Sequence, residues 1–223
     1  MPIYSADALI LRTYALGEAD RIVVFLTRDR GKKRGVAKNA RRSRKRFGGA
    51  LEPLTETRVA YFESARRELV GLNYAETVRS PLAVAGGGRG ADLTADALGH
   101  AGYFAELLDE WAQEADADDR LYRLGVSMLD AFAAGVPIDP LARYFEFWLL
   151  RLQGVYPDGH DLSPGARAFV NAARVMAPHE VGALPADRST LNELERVHRG
   201  LIAMHLEKTL RSDRVLRDLR RHA

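Results

Sequence analysis

The chain has 223 residues, with 33 Lys and Arg, 30 Asp and Glu, and a formal charge of +3 at neutral pH. Its 47% apolar and 28% charged residues are the balance of a globular protein of one large or two small domains, which excludes a disordered chain. Cysteine is absent, so disulfides and thiolate-ligated zinc or iron–sulfur centres are excluded, and no run of about eighteen apolar residues predicts a membrane span.

The start, Met1 to Tyr14, lacks a basic segment followed by an apolar core and does not read as a signal peptide, so a cytoplasmic protein is expected. Ala8 to Tyr14 and Arg21 to Thr27 are short runs rich in Ile, Leu and Val, separated by a turn-like stretch at 16–20. Arg34 to Lys38 is a third, basic candidate strand. Thr55, Thr57, Val59 and Tyr61 share a face at period two around a fourth strand ending at Phe62, and Leu69 to Thr77 is a fifth. Five short strands in about eighty residues suit a small closed barrel.

The texture then changes. Ser80-Pro81 and Gly86-Gly87-Gly88-Arg89-Gly90 mark a breaker-rich linker over 81–91, between a first domain at 1–80 and a second at 92–223. Beyond it the period is helical. Leu93, Ala97, Ala101, Phe104, Leu108 and Trp111 form one stripe; Leu121, Leu124, Met128 and Phe132 form another, stopped by Gly135 and Pro137. Asp139-Pro140 and Ser163-Pro164 are N-cap and first-turn pairs for two more helices. Thr190 with Glu193 reads as a capping box for a fifth, with Leu194, Val197, Leu201 and Met204 inward, and a last short helix starts at Ser212. The two tryptophans and Met128, Met176 and Met204 read as core. The expected class is α+β, a β-barrel followed by an all-α bundle.

Charge carries the functional signal. Between Arg28 and Arg46 eleven cations (Arg28, Arg30, Lys32, Lys33, Arg34, Lys38, Arg41, Arg42, Arg44, Lys45, Arg46) face only Asp29, a local charge of +10, which leaves the rest of the chain at −7. So polarised a field repels itself, and a polyanion offsets that repulsion; nucleic acid fits because each neutralised phosphate releases a counterion. Lys32, Lys33, Arg34, Lys38, Arg41, Arg42, Arg44, Lys45 and Arg46 are the candidate DNA-binding residues. Nothing in the run reads base edges, so binding tolerant of sequence is expected. Phe47, Tyr61 and Phe62 read as barrel core or anchors, with base stacking as the alternative.

Other features are weaker. The glycine run lacks the Gly-Lys-Ser/Thr ending of a phosphate-binding loop. Asp158, His160 and Asp161 read as a polar loop; their alternative is a metal-dependent nuclease, for which no completing motif exists. Arg211, Arg214, Arg217, Arg220 and Arg221 recur at helical steps, either answering the helix dipole or receiving an acidic peptide.

In order, four stretches resemble the RecO family of bacterial recombination mediators: Ala8-Leu9-Ile10-Leu11-Arg12; the basic run from Gly31 to Arg42; Phe145 to Gly154, similar to the family's helix ending in Leu and Gly; and His205-Leu206 with Leu210-Arg211-Ser212 and Val215-Leu216. The resemblance implies an N-terminal OB-fold that binds single- and double-stranded DNA, then a helical domain for partners. It implies no enzyme but a mediator that anneals complementary strands and, with the RecR ring protein, helps load the RecA recombinase onto strands coated by single-stranded DNA-binding protein. Many family members place two Cys-x-x-Cys pairs after the Leu-and-Gly helix end; here Val155 to Leu162 has none, so zinc is not carried over and no cofactor is expected. Rival readings are a sequence-tolerant RNA-binding module, the nuclease, and a scaffold for acidic proteins.

Overall fold

β1 (Ile3–Leu16), β2 (Asp20–Thr27), β3 (Gly31–Ala37), β4 (Glu56–Phe62) and β5 (Val70–Arg79) close into a barrel of order β1-β2-β3-β5-β4 in the computed structural model, which describes residues 2–64, 66–82, 95–157 and 161–222. Neighbours run antiparallel except β3 and β5, which pair in parallel from Gly35 opposite Val70 to Ala37 opposite Leu72. This is the five-stranded OB-fold barrel expected. β1 is longer than its apolar run because it serves two partners, β4 along Ile3–Leu9 and β2 along Ala8–Leu16.

The apolar runs of β1 and β2 are nearly continuous because both faces are buried. Ala6, Ala8, Ile10, Val23 and Phe25 fill the barrel, while Leu9, Leu11, Val24 and Leu26 point out beneath the helices. Those helices are α2 (Ala95–Trp111), α3 (Asp119–Ala133), α4 (Ile138–Leu152), α5 (Pro164–Ala173), α6 (Arg188–Leu206) and α7 (Ser212–His222), after a single turn, α1 (Arg44–Phe47), in the barrel. Phe104 of α2 stacks on Phe145 of α4 with centroids 4.3 Å apart, in the same core that holds Leu9 and Leu26. The outer face of the barrel thus shares one hydrophobic core with the helices, and the barrel interior forms a second. The glycine run lies outside the described residues.

A polar seam ties the two parts further. The Lys32 N–H donates to the Gln113 carbonyl (3.1 Å) and the Ala115 N–H to the Lys32 carbonyl (3.3 Å), so β3 borrows two bonds from the α2–α3 loop. Arg12 reaches Glu106 (3.4 Å), Asp109 (3.2 Å) and Glu110 (3.5 Å) on α2. Burial alone would raise the Glu106 pKa, but hydrogen bonds from Ser212 and Arg211 at the start of α7, with the charge of Arg12, hold it below the ordinary carboxylate range. Gly31 has φ +67°, and a Cβ there would overlap the Asp116 backbone. Gly31→Ala is therefore expected to cost about 3 kcal/mol, from left-handed backbone strain plus a clash with main chain that cannot rotate away; urea unfolding measures it.

Several local expectations are corrected. β3 starts at Gly31 rather than Arg34, so Lys32 and Lys33 are strand residues. α4 starts at Ile138, with Asp139 and Pro140 inside its first turn. α6 is capped by Asp187, whose carboxylate accepts from the Thr190 N–H (2.7 Å), while Glu193 accepts from the Ser163 N–H (2.8 Å) instead of closing a capping box. Met204 is exposed rather than core: the buried face of α6 runs Leu194, His198, Ile202, a phase hidden in the sequence because His198 is polar. His198 is buried because its Nδ1 lies 3.1 Å from Glu146, itself fully buried on α4.

Candidate nucleic-acid interface

The connection from β3 to β4 holds most of the basic run and is pinned at both ends. Asn39, at φ +57°, donates its N–H to Asp20 (2.7 Å), fixing the exit from β3 against the β1–β2 turn. At the far end Phe47 is buried in the barrel core with Ala50 and Leu51. Between these anchors Arg41, Arg42, Arg44 and Lys45 are exposed, as are Lys38 and, on β3, Arg34. Arg46 is half-buried: its guanidinium donates to Ser43 Oγ (3.2 Å) and the Lys38 carbonyl and lies 5.0 Å from the Phe47 ring. It shapes the loop as well as charging it.

Two of the nine candidates are engaged elsewhere. Lys32 Nζ donates to the Asp109 carbonyl (2.6 Å) and pairs with its carboxylate (3.4 Å) in the seam with α2. Lys33 donates to Glu63 (2.8 Å) at the end of β4. Arg28 likewise meets Asp119 (3.0 Å), and Arg30 lies 4.5 Å from the Tyr4 ring. The structure thus brings Lys38, Arg41, Arg42, Arg44, Lys45 and Arg46 together on one connection, with Arg34 on the adjoining strand, and turns Lys32 and Lys33 toward internal acids.

Sequence reasoning missed Arg67. The parallel pairing of β5 with β3 sets the β4–β5 connection beside the β3 exit, and a groove of about 420 Å³ forms there, lined by Lys38, Arg46, Phe62, Arg67 and Leu69 among others. A pairing between strands so far apart leaves no local signal. Of the three aromatics weighed, Phe47 and Tyr61 are core. Tyr61 packs on Phe25 and Tyr4, and burial pushes its hydroxyl up to about 12. Phe62 is half-buried over Gly71, where no Cβ would fit, and lines the groove.

Such a surface can neutralise phosphates. Asp158 and His160 lie outside the described residues, and Asp161 is exposed. No group of three or more His, Asp or Glu that could hold a metal occurs among the described residues, and the sequence has no cysteine to supply thiolate ligands. No helix among the described residues is long and apolar enough to cross a membrane.

Comparison with known proteins agrees with this geometry. Residues 1–81 match the model "Recombination protein O N terminal" and residues 93–161 the model "Recombination protein O C terminal". The DNA repair protein RecO of Koribacter versatilis (strain Ellin345) is 41% identical over 154 residues, 69% of this chain and 59% of that protein. That of Anaeromyxobacter sp. (strain K) is 41% identical over 149 residues, 67% of this chain and 56% of its own length. That of Desulforudis audaxviator (strain MP104C) is 36% identical over 176 residues, 77% and 66% respectively. The matched stretch thus spans less than two thirds of each of these relatives. With the barrel and the first helices each matching its half of one family, in order, the chain belongs to the RecO family of DNA repair proteins.

Proposed function

We propose that this protein is a non-enzymatic mediator that binds single- and double-stranded DNA through the β3–β4 connection and anneals complementary strands. With RecR it helps load RecA onto single strands coated by single-stranded DNA-binding protein, and the helical part supplies docking surfaces for those partners. One observation carries the reading: Lys38, Arg41, Arg42, Arg44 and Lys45 stand exposed on a single pinned connection of an OB-fold barrel. The mechanism is electrostatic. Cations on the connection neutralise phosphates, which lowers the repulsion between two strands and lets complementary bases meet. Nothing on the connection demands a particular base, so annealing proceeds with any complementary pair.

Annealing of complementary oligonucleotides coated with single-stranded DNA-binding protein tests this. Wild type is expected to speed annealing, and a variant with Arg41, Arg42, Arg44 and Lys45 changed to Glu is expected to lose that effect with its circular dichroism unchanged. Full activity in the variant would move the DNA site elsewhere. Wild type without activity would leave a binding module only.

A further inference from the structure

We infer that Tyr74 is a base-stacking residue, on whose ring a single DNA strand held by Arg44, Lys45 and Arg46 lays one of its bases. This rests on the DNA-binding reading above and adds to it a residue that distinguishes single strands from duplex.

A register irregularity in β5 is what turns Tyr74 outward. Ala60 lies opposite Tyr74, but the next residue of β4, Tyr61, lies opposite Leu72, so Asn73 has no counterpart. In a regular strand Leu72 and Tyr74 would share a face. The extra residue reverses that: Leu72 and Ala75 enter the barrel core, and Tyr74 stands outside it, 37% exposed. Bulges of this kind re-aim a side chain, frequently beside a functional site.

What lies beside Tyr74 gives the bulge a use. Tyr74 lines a surface hollow of about 390 Å³ together with Arg44, Lys45, Arg46 and Glu76. Glu76 is the one acid in the lining against three cations, and it stands opposite Arg58 in the strand register, a cation that itself reaches Asp7 (3.7 Å). Arg46 also borders the groove that holds Lys38, Arg67 and Phe62, and Asn73, adjoining Tyr74, lines it too. Groove and hollow therefore meet at Arg46 and at the bulge. A strand passing from one to the other finds cations for its phosphates and an exposed ring for a base, the combination that single-strand binders use. A duplex keeps its bases stacked inside and gains nothing from the ring.

Binding of wild type, Tyr74→Ala and Tyr74→Phe to a single strand and to a duplex of equal length tests this, with 2-aminopurine in the single strand as a stacking reporter. Tyr74→Ala is expected to weaken single-strand binding about tenfold. It should leave duplex affinity within about twofold, because the cations that hold the phosphates remain. The log–log salt slope should be unchanged and the 2-aminopurine quenching reduced, while Tyr74→Phe behaves as wild type. If the alanine variant fails to fold, Tyr74→Thr, a good strand former, replaces it. Equal losses on single strand and duplex would mean that Tyr74 only supports the loop, overturning the inference. So would unchanged single-strand affinity, and if the charge-reversed connection still abolished binding, the DNA reading would survive that failure. Wild type that binds no DNA would end both.

Discussion

Changing Arg41, Arg42, Arg44 and Lys45 together to Glu is expected to weaken single-strand binding several-hundredfold or more at about 0.1 M salt. Each phosphate neutralised on a single strand contributes roughly 0.7 to the log–log salt slope, so at that salt it adds roughly 0.7 log units of affinity. Leaving four phosphates without their cations thus weakens binding on the order of 600-fold, and reversed charge adds repulsion to the loss. The fold should tolerate the change. The four side chains are exposed, and the connection is held by Asn39 to Asp20, by buried Phe47 and by backbone bonds such as the Arg41 N–H to the Ala19 carbonyl. Arg46 is left in place because its guanidinium holds Ser43 and the Lys38 carbonyl, so its loss would confuse shape with charge. Binding to a labelled oligonucleotide, with a thermal melt of each protein, gives the answer.

Glu146→Ala is expected to cost about 3–5 kcal/mol, the most of any single change considered. The reason is that it takes from the buried Arg143 its closer carboxylate, leaving Glu195 at 3.6 Å, and strips Tyr103 and His198 of their shared acceptor. The Glu146 carboxylate is fully buried between Arg143 (2.9 Å), the Tyr103 hydroxyl (2.9 Å) and His198 Nδ1 (3.1 Å), joining α2, α4 and α6. For a chain of this length the melting temperature should fall by about 6–20 °C. Burial by itself would raise the Glu146 pKa, but the charge of Arg143 and the bonds from His198 and Tyr103 outweigh it and keep it below the usual 4.5. A folded pKa below the unfolded one means that the unfolded chain binds the extra proton on acidification. The stabilisation is therefore present above about pH 4.5 and lost as pH falls through the folded value. Melts of wild type and Glu146→Gln across that range should converge toward acid; parallel curves would contradict the assignment.

The parts of the fold legible in the sequence are those where burial alone decides. β1 and β2 stand out because both faces are covered, and α2 and α3 because their apolar stripes meet the same core. Where a polar partner decides, the pattern misleads. The phase of α6 is hidden because His198 is inward with a polar partner, Glu146, fifty-two residues away. The start of β3 is hidden because Lys32 and Lys33 do not look like strand interior; Asp109 and Glu63 hold them. The candidate site divides the same way. Eleven cations in a short run are plain to see, yet which ones reach solvent depends on acids supplied by distant elements. Arg67 joins the groove through the parallel β3–β5 pairing, and Tyr74 faces out through a bulge, neither of which leaves a local trace.

The salt dependence of single-strand affinity, measured on wild type and on the variant with Arg41, Arg42, Arg44 and Lys45 changed to Glu, tests the central claim most directly. About six neutralised phosphates predict a wild-type log–log slope near roughly −4, and the variant should flatten it by about 3. A wild-type slope near zero, or two parallel lines of equal affinity, would mean that the basic connection does not hold the DNA backbone.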